Sequence, residues 1–184
     1  MDSNSRAAND GRLIDQARSD PAAFARLYRR HYDAVFRYCV HRLFNRQSAE
    51  DVTSAVFLSV VENFSRFKGS ERDFRNWLYK IATNAVNEHL RKASRRKDLL
   101  KATCEQANHQ AADCGQSERL ALLKQAILTL RPRYQTIITL RFFENLKLTE
   151  IAEVLASSPG TVRSQLARAL AKLRKKINAS KQEV

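Results

Sequence analysis

The sequence predicts an all-α protein made of two small helical domains joined by a flexible linker. Three observations predict it. Apolar residues recur three and four positions apart through most of the chain, the period of an amphipathic helix. Turn-forming residues are scarce, with four glycines and three prolines in 184 residues, which favours helices. One stretch, 98–118, loses this periodicity and turns to Gln, Asn, Ser and Gly, the composition of a tether. The expected boundaries are a polar tail at 1–18, a first helical domain at 19–97, the linker at 98–118, a second helical domain at 119–178 and a tail at 179–184. Fully extended, the linker would span about 70 Å; as a coil it would average nearer 25 Å.

Hydrophobic residues make up 43% of the chain, enough to bury a core, and the formal net charge is +14. With a pI of about 10.2, the charge asks for a polyanionic partner, nucleic acid first; a protein that is merely basic is the alternative. No apolar run reaches the roughly 18 residues of a membrane span, so no membrane insertion is expected. The N-terminal MDSNSRAANDGR lacks the apolar stretch of a signal peptide, and a cytoplasmic location is expected. Three cysteines, an odd number, fit a reducing compartment better than a disulfide framework.

In chain order, Asp20-Pro21 is the first strong start signal, a cap followed by proline at the first helical position. Phe24, Leu27, Tyr28, Val35, Phe36, Cys39, Val40 and Leu43 then recur at helical spacing, with Cys39 as a small core residue. Asn45–Ser48 breaks the pattern, and Ser48 precedes Glu50 and Asp51, which places acids in a first turn where the helix dipole favours them. Val52, Val56, Phe57, Val60, Val61 and Phe64 form the apolar face of the second helix. Phe67–Asp73 has no helical period and holds Gly69, so it reads as a loop. The next helix, about 74–95, has an apolar side through Phe74, Leu78, Ile81 and Ala85. A second, polar stripe holds Asn76, Lys80, Thr83, Asn84, Asn87 and Arg91. Asparagine is a mediocre helix former, so three on one side suggest amides kept for hydrogen bonding. Trp77 lies between the stripes and reads as a core aromatic before a stacking platform. The basic run Arg91–Lys97 suits either a solvated helix end or a phosphate-contacting ridge.

The second half opens with Leu120, Leu123, Ile127 and Leu130. Pro132 begins another helix, to about Glu144, where Asn145 can take the left-handed conformation that ends helices. From Leu148 to Leu173 the chain reads as a helix-turn-helix. Ile151, Val154 and Leu155 share one face of a short first helix. Ser158 caps the second, Pro159 opens it, and Val162, Leu166, Leu170 and Leu173 form its apolar stripe. Thr161, Arg163, Ser164, Gln165 and Arg168 lie off that stripe. A buried rear and a hydrogen-bonding front are what reading the major groove requires; an ordinary helical hairpin with a basic surface is the bland alternative.

Two stretches then resemble one family. AFARLYRRHYDAVFRY, AEDVTSAVFLSVVENFSRF and FRNWLYKIATNAVNEHLRK, within 23–96, resemble region two of bacterial RNA polymerase sigma factors of the extracytoplasmic-function class. LTLRPRYQTIITLRFFENL and LTEIAEVLASSPGTVRSQLARALAKLRKKI, within 120–177, resemble region four. The resemblance implies a region-two helical bundle and a region-four helix-turn-helix in a subunit that joins core RNA polymerase, recognises promoter DNA and helps open the duplex. It implies polymerase contacts at Asp51, Ser54 and Phe57. Asp51 matches the family's acidic clamp contact, but Ser54 and Ala55 stand where the family usually has glutamine and an acid, which weakens that polar contact. It implies melted-strand contacts at Lys68 and Ser70 of the base-capturing loop Lys68–Asp73 and at Asn84; the polar stripe on the same helix adds Asn76, Lys80 and Asn87, and a base pocket is expected between that loop and Asn84. In region four, the expected duplex contacts are phosphate-binding Arg141, Arg168 and Lys172, backbone donors near Thr161, and base-reading Arg163, Ser164 and Gln165. Gln165 stands where arginine is frequent, and glutamine pairs naturally with adenine. Family members are often held by an anti-sigma protein, which no residue here identifies.

The rival is a stand-alone helix-turn-helix regulator that binds duplex DNA without polymerase. For an enzyme, the sequence offers no paired carboxylates at metal spacing and no Cys/His or Ser/His constellation; His31, His41, His89 and His109 are scattered. Cys104, His109 and Cys114 could in principle bind zinc, but their spacing matches no common finger and a fourth ligand is missing. No metal, cofactor or small-molecule substrate is expected.

Overall fold

A computed structural model describes residues 13–103 and 118–182, all of them in helices or the turns between. Cys104, His109 and Cys114 lie outside the described residues. The chain divides into two compact units, residues 1–86 and 87–184.

The first unit begins with a short helical turn at 13–16. Helix α1 follows, Pro21–Leu43, and the Asp20 carboxylate accepts from the Ala22 amide at 2.8 Å as its cap. Phe44 ends α1 in the left-handed conformation, φ 51°. Its N–H returns to the Val40 carbonyl at 2.8 Å. Helix α2, Arg46–Asn63, starts at once, because the Asn45 side chain accepts from Ser48 N at 2.8 Å. The cap is therefore Asn45 and not Ser48, and the expected break shrinks to two residues. Glu50 falls outside the first turn and pairs with Arg46 one turn back at 3.0 Å. A 3₁₀ turn, Phe64–Arg66, closes α2.

Helix α3 runs Glu71–Thr103, longer than expected at both ends. It starts early because Ser70 and Asp73 form a capping box. The Asp73 carboxylate accepts from Ser70 N at 2.8 Å and from the Ser70 hydroxyl at 2.7 Å. At the far end it carries helical backbone into the stretch expected to be linker.

The core of this unit is aromatic. Phe74 contacts Phe64, Phe67 and Trp77, with ring centroids 5.4–6.0 Å apart. Trp77 is half-buried on Phe67 at 5.0 Å, a packing role. Cys39 is fully buried, as its apolar neighbours implied. Two polar groups the helical pattern did not mark are also interior: His31, edge-on to Phe74 at 5.3 Å, and Arg42 beside the buried phenol of Tyr38.

The second unit contains α4 (Glu118–Leu128), α5 (Pro132–Ile138), α6 (Leu148–Val154) and α7 (Pro159–Gln182). Pro132 opens α5 as expected, and the Gln135 amide ties the corner by donating to the Leu130 carbonyl at 2.9 Å. Beyond Ile138 the coil widens to a π-helical turn, Thr139–Phe143, ending at Asn145 in the left-handed conformation (φ 56°). The core here is aliphatic: Ile137, Leu140, Leu146, Ile151, Val162 and Leu173 are buried.

Candidate nucleic-acid interface

The helix-turn-helix is built from α6, a tight turn and α7. Glu150 is buried, and its carboxylate accepts from Lys147 N at 2.7 Å. An acid in the first turn thus supplies the cap that Lys147 cannot. Ala156 takes the turn with φ 47°, and Ser157 N returns to the Ala152 carbonyl at 2.8 Å. Ser158 Oγ then accepts from Thr161 N at 3.1 Å, the cap predicted from the Ser-Pro pair. Val162 and Leu173 are buried as expected, but Ala169 replaces Leu170 on the stripe, and Leu170 is 38% exposed. At about 100° per residue, position 169 lies roughly 20° from position 162 and position 170 roughly 80° away.

The predicted duplex-binding residues share the exposed front only in part. Arg163, Ser164, Arg168 and Lys172 are exposed. Ser164 donates its hydroxyl hydrogen to the Gly160 carbonyl at 3.1 Å. Its oxygen is therefore presented as an acceptor. The Thr161 hydroxyl and amide are both engaged by Ser158, so the backbone donor expected at this residue is already used. Gln165 is half-buried and accepts from Arg133 Nε at 2.9 Å. Lys172 Nζ lies 5.7 Å from the centre of the Tyr134 ring. Arg141 is exposed and donates to the Leu146 carbonyl at 3.0 Å. Between Pro159 and Gln182, α7 carries no acidic residue.

The polar stripe of α3 splits. Lys80, Asn84 and Asn87 are exposed. Asn76 is only 5% exposed, so it is not presented to a strand and is corrected to an interior residue. Thr83 is interior too, bonded to the Tyr38 hydroxyl at 2.8 Å. The helical angle put all of these on one side. What it could not foresee is that α1 covers part of that side. In the loop, Lys68 is exposed, while Ser70 spends its hydroxyl on Asp73 and serves the helix cap. Those two bonds from Ser70 hold the Asp73 carboxyl below its usual range. A cavity of about 210 Å³ is lined by Ser59, Asn63, Arg66, Phe67, Trp77 and Ile81. Neither the 68–73 loop nor Asn84 lines it, so it is not the base pocket expected between them.

On α2, Asp51 and Ser54 are exposed. Phe57 is corrected: it is 5% exposed, lies tilted against Tyr28 at 4.5 Å and stacks with Tyr32 at 5.9 Å. Two apolar residues take the surface in its place, Leu58 at 61% and Val61 at 56% exposure. Val61 was expected in the core and Leu58 was missed. The signal existed: 51, 54, 58 and 61 are spaced by three, four and three, one face of a helix.

Residues 27–96 match the family model for Sigma-70 region 2, and residues 120–173 match that for Sigma-70, region 4. The chain is 32% identical over 163 residues to the ECF RNA polymerase sigma factor BldN of Streptomyces coelicolor, covering 86% of this chain and 62% of that one. It is 30% identical to the ECF RNA polymerase sigma-E factor of Haemophilus influenzae, covering 90% of this chain and 96% of the relative. Among solved structures, CnrH in complex with the cytosolic domain of CnrY has the same fold, with a TM-score of 0.70 at 24% identity over 92% of this chain and 97% of that one. With both regions present in family order, and a relative matched over nearly its whole length, the chain belongs to the extracytoplasmic-function class of RNA polymerase sigma factors.

Proposed function

We propose that this chain is the promoter-directing subunit of RNA polymerase, with no catalytic residue of its own, and that it works in the cytoplasm. The observation that carries the reading is the pairing of region two with region four in a single chain. A stand-alone regulator would need only the helix-turn-helix, so that alternative is not favoured. No helix among the described residues is long and apolar enough to cross a membrane.

In this reading 19–97 serves as region two, 98–118 as tether and 119–178 as region four. Asp51, Ser54, Leu58 and Val61 form the polymerase-facing strip of α2. Lys80, Asn84 and Asn87, with Lys68 of the loop, face the melted strand. A base leaves the stack at a cost of a few kcal/mol, which a surface that holds it offsets. Arg163, Ser164 and Gln165 read base edges, while Arg141, Arg168 and Lys172 neutralise phosphate, so affinity falls steeply with salt. An anti-sigma protein belongs to the same proposal as the regulator, and co-purification from the native host would reveal it.

The test is promoter-specific run-off transcription by core polymerase with and without the purified chain. Transcription that depends on the chain supports the proposal. A chain that shifts duplex DNA but neither comigrates with core polymerase nor supports run-off would return it to the regulator class.

A further inference from the structure

One polar side chain on the front of α7 is held by another helix. Gln165 Oε1 accepts from Arg133 Nε at 2.9 Å. A guanidinium carries only donors. The amide atom facing it must therefore be the oxygen; the reverse orientation would set N–H against N–H. Arg133 is the second residue of α5, a helix opened by Pro132 and buried along Gln135–Ile138. It is thus presented from a packed element and not from a loop.

The consequence concerns hydrogen-bond polarity. A lone glutamine matches adenine by accepting from N6–H while donating to N7. The bond to the cation takes up one of the oxygen's two lone pairs and fixes its direction, which weakens that match and leaves the NH₂ donors as the group for base pairing. Guanine displays two adjacent acceptors, N7 and O6, in the major groove. Resting on the reading of α7 as the groove-facing helix, we propose that Arg133 is a positioning residue for base recognition. It orients Gln165 as a donor, so that the chain selects guanine at that position in place of the adenine that glutamine alone would choose.

The test uses holoenzyme assembled from core polymerase and the full chain. It transcribes a template library randomised across the upstream duplex element, and the transcripts are sequenced. At one position the natural chain should favour guanine over adenine on the order of ten-fold. Gln165→Ala should flatten that position and no other. Arg133→Ala should move the same position toward adenine, and Arg133→Lys, which can still donate, should retain guanine. Gln165→Glu keeps the acceptor for Arg133 but removes the donors, and should shift the preference to cytosine, whose N4 donates. A position flattened by Gln165→Ala but unchanged by Arg133→Ala, with only a uniform fall in yield, overturns the positioning role and leaves base reading by Gln165 intact. So does adenine preference in the natural chain. If Gln165→Ala alters no position, base reading by this residue fails, and the inference fails with it.

Discussion

The two units solve the same problem with different materials. The first buries a connected set of rings, with Phe64, Phe67 and Trp77 all in contact with Phe74, and its core also holds His31, Arg42 and Asn76. The second is aliphatic inside, and leaves Phe142 and Phe143 exposed. Large rings fill a three-helix interior but cover polar neighbours as they do so, and a third of the expected polar stripe of α3, Asn76 and Thr83, was lost to the core. Short aliphatics let two helices approach closely while the far side of α7 stays open. The first unit therefore offers a surface thinned to a few residues. The second keeps its front, but organises it by hydrogen bonds among its own side chains.

The largest expected effect bears on the ring-built core. Phe74→Ala should destabilise the first unit by about 3–5 kcal/mol, seen as a lower unfolding midpoint in urea. Ile151→Ala should cost the second unit about 2–5 kcal/mol. A smaller loss at Phe74 than at Ile151 would break the contrast between an aromatic keystone and a distributed aliphatic core.

Next comes pH. Burial, and then the charges of Arg30 and Arg75, lower the His31 pKa to about 4, against about 6.5 in an unfolded chain. Below pH 6.5 the unfolded state takes up a proton that the native state refuses. Stability is therefore fully present above that pH and is lost as pH falls toward 4, by up to about 3 kcal/mol. Denaturant titrations at pH 7 and pH 5 check this, and His31→Leu should remove most of the difference. A pH-independent first unit would mean that His31 is not enclosed.

The caps sharpen the comparison further. Ser70→Ala removes the hydroxyl of the cap, leaving Asp73 only the backbone N–H, and should cost the first unit about 1 kcal/mol. The same measurement on Ser158→Ala should give a similar loss in the second, since each serine caps a helix in its unit. The smallest effect is a gain. Ala156 sits at φ 47°, where a Cβ is unfavourable, and Ala156→Gly should stabilise the helix-turn-helix by about 0.5 kcal/mol once the greater freedom of glycine in the unfolded chain is subtracted. A loss from that substitution would show that the turn tolerates its Cβ.

What the sequence determined by itself was whatever depends on neighbours along the chain. The caps at Asp20 and Ser158, the prolines at the start of α1, α5 and α7, the left-handed stop at Asn145 and the helical class all follow from local backbone chemistry. So does the front of α7, because a two-helix motif hides only one side of each helix. Tertiary structure alone decided which side of a helix is covered when several helices meet. It buried Asn76 and Thr83, exposed Val61 and Leu58, and brought Arg133 to Gln165 across 32 positions of sequence. A helical period gives directions around one axis; which of them meets another helix depends on where that helix lies, and spacing along a single chain does not encode it.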